Sequence, residues 1–351
     1  MRAAREGRPH RPTPDTDSTT SHGDPDDMTI DRFTGDFALA RYRDGDGVRL
    51  GLVRGERIRP LDATSLGAAS LNDFLAAPDW DRLAALPVDG ADSLALSDVV
   101  LTAPVEPRQV LQTGANYRQH VIELVAAGLT QNSERTPEEA HAFAADLMDK
   151  RARDGEPYLF IGLPACVVGY DVPLVLPAYS EVHDWELELA VVIGREAFRV
   201  SREDALDHVA GYTIVNDITT RDLVFRKDMK EIGTDWYRSK NAPGFLPTGP
   251  FLVPAAAVDP ADTAVRLELN GDVMQDASTS DLLFDVPSLV SGASQTMPLL
   301  PGDLLLTGSP AGNGQHWRRF LRDGDVMTGT IAGLGTQVVR CVAEPGANGA
   351  A

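Results

Sequence analysis

Residues 183–194 read His-Asp-Trp-Glu-Leu-Glu-Leu-Ala-Val-Val-Ile-Gly, and this stretch decides the fold. Alternate residues of a strand share a face, so Glu186 and Glu188 are predicted to project side by side. The opposite face carries Trp185, Leu187, Leu189, Val191 and Ile193, and the glutamate face continues as Ala190 and Val192. The stretch therefore predicts one strand that is buried on both faces.

The two glutamates have two interpretations. Ionised carboxylates on a buried strand lose hydration and repel each other, so they require a counter-charge. A divalent cation bound through oxygen atoms is the simplest one. The alternative is a pair of acids on a solvated strand face that bind nothing. The apolar continuation of their face favours the cation, but the strand alone leaves both interpretations open.

Composition narrows the class of protein. The chain has 351 residues, and 52 acidic against 32 basic side chains give a net charge of −20. This charge argues against nucleic acid and anionic membranes as partners and is typical of a cytoplasmic enzyme. No apolar run approaches the ~18 residues that a membrane span requires. Cys166 and Cys341 fit neither a metal nor a redox spacing, which predicts buried thiols in a reducing compartment.

The chain divides into four predicted segments. Residues 1–27 are rich in Arg, Pro, Asp, Ser and Thr and are predicted to be a disordered extension. Residues 28–105 combine short strands, a hairpin around residues 54–56 and a helix start at Ser70, so they predict a small α+β domain. Residues 106–345 form the predicted catalytic domain, and residues 346–351 a frayed tail.

A possible general base lies early in the second domain. Residues 110–123 predict a strand, a glycine turn and a helix on which His120 and Glu123 share a face. A histidine oriented by a carboxylate is a common general-base arrangement. The alternative is a surface histidine in a helix salt bridge. Residues 124–135 are predicted to be a loop.

A second helix is predicted from Thr136, which precedes Pro137 and stands three residues before Glu139. This arrangement is a strong helix start. Its apolar stripe of Ala140, Phe143, Leu147 and Met148 is predicted to pack on the core.

Two further charged residues complete the candidate set. Residues 212–217 predict a second apolar strand that ends in Asp217, which is a third carboxylate ligand or a turn residue. Lys240 follows a polar stretch and precedes a turn, so it is predicted to lie outside the core. The glycine-rich loop at residues 308–314 matches neither phosphate-binding fingerprint, which argues against a nucleotide. The many short strands predict a strand-dominated α+β fold, not a doubly wound sheet.

Taken in order, the motifs resemble the fumarylacetoacetate hydrolase family, including its acylpyruvate hydrolase and 2-hydroxyhepta-2,4-diene-1,7-dioate isomerase members. The matching residues are Gly114-Ala115-Asn116-Tyr117 with His120, Glu186 to Gly194, Gly211-Tyr212, Asn216-Asp217, Arg221-Asp222, Lys240, Gly244-Phe245, Gly249-Pro250, Asn270-Gly271, Gln275-Asp276, Pro301-Gly302-Asp303 and Thr307-Gly308-Ser309-Pro310. The resemblance covers about two thirds of the chain and implies a mixed β-sandwich roll that usually forms a homodimer.

The resemblance also implies roles for individual residues. Glu186, Glu188 and Asp217 correspond to ligands of Mg²⁺ or Mn²⁺, with Ca²⁺ as a substitute in crystals. Lys240 corresponds to the lysine that stabilises negative charge on the substrate, and His120 with Glu123 to a lid dyad that activates water. Substrate contacts are implied for Arg221, Thr307 and Tyr117.

The function implied is hydrolysis of a C–C bond in a β-diketo or acylpyruvate-type acid through a metal-bound enolate. The alternative is a decarboxylase, tautomerase, isomerase or hydratase acting on a related 2-oxo acid. A non-catalytic small-molecule binder is the third possibility, and the presence of every acid, base and cation needed for turnover argues against it. Leu163 stands where family members often have lysine, and Val224 where the name-giving branch has glutamine. These differences predict a pocket unlike that of the tyrosine-degradation enzyme.

Overall fold

The computed structural model describes residues 30–132, 135–170 and 172–346. The predicted disordered segment 1–27 and most of the predicted tail lie outside these ranges. No helix in the described part of the chain has both the length and the apolar composition to cross a bilayer. Cys166 and Cys341 are buried and unpaired thiols, as their spacing predicts.

The N-terminal part consists of one sheet and three short helices. Its five strands lie in the order β4-β3-β2-β1-β5, and the predicted hairpin is confirmed because Arg54 pairs with Arg57. Ser70 caps the second helix through the Asp73 N–H at 3.2 Å. The elements are β1 (Phe33–Asp44), β2 (Gly47–Gly55), β3 (Arg57–Leu61), α1 (Ala63–Leu66), α2 (Leu71–Ala76), α3 (Trp80–Ala84), β4 (Leu94–Ala95) and β5 (Leu101–Thr102).

The rest of the chain is dominated by strands, which confirms the α+β class. Its elements are β6 (Val110–Gly114), α4 (Arg118–Asn132), α5 (Pro137–Asp154), β7 (Tyr158–Gly162), β8 (Val167–Gly169), β9 (Leu174–Leu176), β10 (His183–Asp184), β11 (Leu187–Ile193), β12 (Val209–Asn216), β13 (Thr219–Thr220), α6 (Trp236–Lys240), β14 (Leu246–Thr248), β15 (Val253–Pro254), β16 (Ala264–Leu269), β17 (Asp272–Ser278), α7 (Val286–Ser294), β18 (Leu304–Leu306), α8 (Gly314–Trp317), β19 (Val326–Ile331) and β20 (Gly335–Ala343).

Strand β11 lies in the middle of the largest sheet. That sheet has the order β7-β6-β18-β11-β12-β14-β8, with β15 attached to β12, and a second sheet has the order β17-β16-β19-β20-β9. All seven residues of β11 are buried. Leu187, Leu189, Val191 and Ile193 pack in a core with residues of β16 and β19. Ala190 and Val192 pack in a separate core with residues of the N-terminal sheet and helices. The predicted alternation is therefore confirmed, because each face of β11 belongs to a different core.

The continuous strand predicted for residues 183–194 is interrupted. Residues 183–184 form β10, which pairs with β13, and the main strand resumes at Leu187. At the break, the backbone N–H of Glu186 donates to the side-chain Oδ1 of Asn216 at 2.9 Å, and not to a backbone carbonyl of the neighbouring strand. The Glu186 carbonyl still accepts the Asp217 N–H at 2.8 Å, which keeps the two acids adjacent.

Two predictions about the helices need correction. The predicted loop at residues 124–135 is helical as far as Asn132, because α4 packs along α5 and buries Val121 and Ile122. Helix α5 begins with the predicted capping box of Thr136 and Glu139. Its core-facing residues are Ala140, Ala144 and Met148, whereas Phe143 and Leu147 are exposed. The buried stripe therefore runs through positions 140, 144 and 148, at the four-residue spacing of one helix face.

We expect Gly211→Ala to destabilise the fold by about 1 to 3 kcal/mol, the usual cost of overpacking. Gly211 is buried in β12, and an added Cβ would overlap the carbonyl oxygen of Val253 in β15. Gly90→Ala is the matched control, since that exposed glycine has open space around its added Cβ. Urea unfolding of both variants measures the difference, and equal midpoints would contradict the packing argument.

Candidate active site

Three carboxylates meet at one end of the β11–β12 pair. Glu188 lies opposite Val215, and Glu186 and Asp217 lie just beyond the paired residues Leu187 and Asn216. One carboxylate oxygen from each of Glu186, Glu188 and Asp217 lies within 4.8 Å of the others. Two antiparallel strands thus place acids from separate parts of the sequence in a single cluster.

Hydrogen bonds from neighbouring elements fix the orientation of each acid. Thr219 Oγ1 donates to Glu186 Oε2 at 3.0 Å, and Gln112 Nε2 donates to Asp217 Oδ1 at 2.5 Å. The backbone N–H of Gly308 donates to Glu188 Oε2 at 2.7 Å. These donors hold the carboxylates in place, as partners of metal ligands usually do.

Two buried cations neutralise part of the cluster. Lys240 Nζ donates to Glu186 Oε2 at 2.6 Å and also to Asp217 Oδ2. The Arg221 guanidinium donates to Glu186 Oε1 at 2.8 Å and to Asp184 Oδ2 at 2.6 Å. In the described part of the chain, Glu188 forms no ion pair. The cluster therefore contains one buried carboxylate without a cationic partner.

The electrostatic consequences differ among the three acids. Burial acts to raise the pKa of Glu186, but Arg221 and Lys240 outweigh it and hold that pKa well below its ordinary value. Burial, opposed by Lys240, raises the pKa of Asp217 to about 6. Burial and the charge of Asp217 raise the pKa of Glu188 well above its ordinary value.

This donor set fits a hard divalent cation. Oxygen ligands from carboxylates are those that Mg²⁺ and Mn²⁺ prefer. A bound cation would supply the counter-charge that Glu188 lacks and would remove the energetic cost that raises its pKa. Glu186, Glu188 and Asp217 are the residues that would hold it.

The cluster forms one wall of a cavity of about 670 Å³. His120, Arg221 and Lys240 line the same cavity. Burial lowers the pKa of His120, against the opposing charges of Glu186 and Glu123. Glu123 accepts a hydrogen bond from Gln119 Nε2 at 2.9 Å, and none joins it to His120 among the described residues. The structure thus brings the predicted base to the cluster, with its predicted partner one helical turn away.

The family model described as fumarylacetoacetate (FAA) hydrolase C-terminal matches residues 109–342. The chain belongs to the fumarylacetoacetate hydrolase family. It is 36% identical over 255 residues to oxaloacetate tautomerase YisK of Bacillus subtilis, covering 70% of this chain and 74% of that protein.

Two solved structures extend the similarity over most of the chain. The 2-hydroxyhepta-2,4-diene-1,7-dioate isomerase of Mycobacterium marinum has 32% identity and a TM-score of 0.65, with coverage of 88% of this chain and 99% of that one. The maleylpyruvate hydrolase of Sphingobium sp. SYK-6, solved with manganese(II) and pyruvate, has 29% identity and a TM-score of 0.64, with coverage of 87% and 99%. Homologues within the fumarylacetoacetate hydrolase family are thus enzymes of several kinds, one of them seen with a divalent metal.

The family resemblance implied substrate contacts for Tyr117 and Thr307, but neither residue lines the cavity. Tyr117 and Thr307 are both fully buried. The Thr307 hydroxyl donates to the Leu189 carbonyl at 3.0 Å, which ties β11 to the segment after β18. The Tyr117 hydroxyl has no hydrogen-bond partner among the described residues.

Asp184 is a site residue that the sequence reasoning missed. Its carboxylate is fully buried and accepts the Gln315 N–H at 3.1 Å as well as the Arg221 Nε. It therefore positions Arg221 beside Glu186. The strand alternation that paired Glu186 with Glu188 also places Asp184 on their face, so this signal was present in the sequence.

The prediction that Lys240 lies outside the core is wrong. Lys240 is the last residue of α6 and is only 3% exposed. Lys240→Met should therefore affect stability as well as turnover. We expect the metal-free variant to lose about 3 to 5 kcal/mol, because buried Asp217 loses its ion-pair partner and Glu186 loses one of its two. Turnover should fall by roughly a hundredfold or more, the scale for an electrostatic stabiliser.

The measurements for this variant are urea unfolding with and without Mg²⁺ and steady-state kinetics. Added Mg²⁺ should restore part of the lost stability, because a cation at the acids would replace the missing charge. Lys150→Met removes an exposed lysine on α5 and is the matched control. Wild-type stability and kinetics in Lys240→Met would refute both roles.

Proposed function

We propose that the protein is a metal-dependent hydrolase that cleaves a C–C bond in an acylpyruvate-type or other β-diketo acid. One observation carries this proposal: a three-carboxylate cluster shares a cavity with a histidine and a buried lysine. Hydrolysis of a 1,3-dicarbonyl compound needs a site for the oxo acid, a base for water and a cation for the developing oxyanion.

Substrate binding would use the acids and cations at the base of the cavity. Glu186, Glu188 and Asp217 would hold a divalent metal, and that metal would supply a Lewis acid for the carboxylate and oxo oxygens of the substrate. Arg221 is held rigidly by Asp184 and Glu186 and presents positive charge to the same region. These groups orient the substrate with its distal carbonyl toward Lys240 and His120.

His120 would begin the reaction as the general base. Its lowered pKa keeps the imidazole neutral near pH 7, which is the form that accepts a proton from water. The resulting hydroxide adds to the distal carbonyl carbon. Lys240 carries a positive charge, because its carboxylate neighbours outweigh burial and raise its pKa, and this charge stabilises the oxyanion.

The C–C bond next to the attacked carbonyl then breaks. The acyl carbon leaves as a carboxylic acid, and the electron pair of the broken bond remains with the three-carbon fragment as an enolate. A proton delivered from His120 converts that enolate to pyruvate, so water is consumed and both products are accounted for.

A tautomerase acting on a 2-oxo acid is the second candidate. It is favoured by the 36% identity to a protein named oxaloacetate tautomerase. The same cavity would serve, with His120 moving a proton between carbon and oxygen and no water added. Decarboxylation and hydration of related oxo acids use the same groups.

Product analysis separates these candidates. The purified protein with Mg²⁺ should consume the enol absorbance of acetylpyruvate and release acetate and pyruvate in equal amounts. Loss of absorbance without acetate would support the tautomerase, and release of CO₂ the decarboxylase. No product from any oxo acid would favour a non-catalytic binder.

The proposal extends to the metal, the assembly and the location. Mg²⁺ or Mn²⁺ suits the all-oxygen donor set.

A homodimer is supported by the apolar side chains exposed near the cavity, Phe225 at 68% and Tyr237 at 71%, and sedimentation would test it. A cytoplasmic location is supported by the two free thiols and the charge of −20.

A further inference from the structure

The cavity is larger and more apolar than a small dianionic oxo acid requires. Its volume is about 670 Å³, whereas a dry apolar cavity of about 150 Å³ is enough to hold benzene. Apolar and aromatic side chains line most of it away from the acids. Apart from three aromatic residues of β7 and α6, these are Leu124, Val182, Val224, Phe225 and Phe320.

Three aromatic residues form a continuous surface that we name the aromatic wall: Tyr158, Phe160 and Trp236. The Phe160 and Trp236 rings are stacked with centroids 4.7 Å apart and planes 16° apart. The Trp236 Nε1–H donates to the Tyr158 hydroxyl at 2.7 Å, which fixes the orientation of the indole. The wall is therefore preorganised to receive an apolar group at low entropic cost.

The aromatic wall lies next to Lys240, the residue proposed to stabilise the oxyanion. Lys240 Nζ lies 5.7 Å from the centre of the Phe160 ring and 5.9 Å from that of Trp236. Lys240 is also the group that faces the distal carbonyl in the proposed reaction. A substituent on that carbonyl would therefore lie along the wall.

The charges in the cavity disfavour a carboxylate at this position. Of the cationic side chains that line the described cavity, Lys240 and Arg221 are both committed to acids of the cluster. Asp222 also lines the cavity and adds a further acid, with its Oδ1 accepting the Ser180 hydroxyl at 2.7 Å. A second carboxylate on the substrate would meet apolar rings and an acid, at the cost of its hydration.

We infer that the preferred substrate is an acylpyruvate whose acyl group is apolar and about as large as an aromatic ring. This inference rests on the proposed function and specifies its substrate class. It excludes oxo acids whose distal group is a carboxylate or only a methyl group as the best substrates.

The test compares three probes on the Mg²⁺-loaded full-length protein: benzoylpyruvate, acetylpyruvate and oxaloacetate. We expect kcat/KM for benzoylpyruvate to exceed that for acetylpyruvate by about tenfold, the value of one aromatic contact beyond area burial. Oxaloacetate should be the poorest of the three. Equal or reversed preference would overturn the inference.

Substitutions in the aromatic wall provide a second, independent test of the substrate preference. Trp236→Ala should lower the ratio of benzoylpyruvate to acetylpyruvate kcat/KM by about tenfold, and Trp236→Phe should keep most of it. Phe198→Ala is the control, because the Phe198 ring is exposed and does not line the cavity. An unchanged ratio in Trp236→Ala would refute the role of the wall.

The two proposals fail in different ways. If the wild type cleaves acetylpyruvate at least as well as benzoylpyruvate, the hydrolase proposal stands and the substrate inference is wrong. If only oxaloacetate is turned over, both proposals are wrong, because its decarboxylation or tautomerisation is not hydrolysis. If no probe is turned over, the hydrolase proposal is wrong, and calorimetric binding of benzoylpyruvate and oxaloacetate with Mg²⁺ decides the inference. Tighter binding of benzoylpyruvate supports it, and equal or weaker binding overturns it.

Discussion

Glu188→Gln should eliminate metal binding and turnover while preserving the fold. Glu188 is the one acid of the cluster without a cationic partner in the described structure, so its charge is available to a bound cation. Replacing even the partners of metal ligands costs about 10- to 100-fold in metal affinity, and loss of a ligand should exceed that. Titration calorimetry with Mn²⁺ on chelator-treated protein measures the affinity, and the acylpyruvate assay measures turnover.

The same variant should be more stable than the metal-free wild type at alkaline pH. Burial raises the pKa of Glu188 in the folded state above its unfolded value. The wild type therefore loses stability as the pH rises from about 4.5 through the folded pKa, since the unfolded chain releases that proton more readily. A neutral glutamine has no such loss. Urea unfolding of both proteins at pH 5 and pH 8 without metal measures this effect. The stability of the variant relative to the wild type should be greater at pH 8 than at pH 5.

Glu203→Gln is the matched control for this substitution, because Glu203 is exposed and belongs neither to the cluster nor to the lining of the cavity. It should leave Mn²⁺ affinity and the pH dependence of unfolding unchanged. Glu186→Gln and Asp217→Asn should also lower the affinity for the metal. Each of them also removes an ion pair of Lys240, so each should change the stability of the fold as well. Full activity of chelator-treated wild-type protein would refute the metal site altogether.

The acids of the cluster could be predicted from sequence because they depend on local patterns. Strand alternation is a property of the backbone, so the two faces of β11 were visible in residues 183–194. The position of Asp217 followed from a second apolar run of similar length. Antiparallel pairing of these neighbouring strands is then sufficient to bring Glu186 and Asp217 together.

The burial of Lys240 could not be predicted, because its partners are distant in the sequence. Its ammonium reaches Glu186 across 54 positions and Asp217 across 23. A polar segment before a turn gives no sign of such contacts. The aromatic wall could not be predicted for the same reason, since Phe160 and Trp236 belong to β7 and α6 and meet only in the folded protein.

The extension of α4 was missed for a different reason. Residues 124–132 include Gly128 and have little helical amphipathicity, so the isolated segment favours a loop. Packing along α5 supplies the stabilisation that local preferences lack. The consequence reaches the site, because the predicted helix that carries His120 and Glu123 extends to 15 residues.

His120→Ala should reduce C–C hydrolysis by roughly 100- to 10,000-fold, the usual contribution of a general base. Mg²⁺ binding and the binding of oxalate, a chelating substrate analogue, should be little changed, because His120 is not a member of the carboxylate cluster. Glu123→Gln should cause a smaller loss, since Glu123 acts on the base through its charge. His141→Ala, on the exposed face of α5, is the control. Wild-type hydrolysis by both His120→Ala and Glu123→Gln would refute the dyad.

The pH profile tests whether Glu123 acts through His120. Burial lowers the pKa of His120 below its ordinary 6.5, and the charge of Glu123 opposes that shift. Because a base acts when deprotonated, kcat/KM at saturating Mg²⁺ should fall only as the pH drops through a value below 6.5. Glu123→Gln removes a charge that raises this pKa, so the acid limb should move to lower pH. A limb caused by protonation of the proposed metal ligand Asp217 would stay in place, because Glu123 does not act on it. The direction of the shift therefore separates a base coupled to Glu123 from simple loss of the metal ligands.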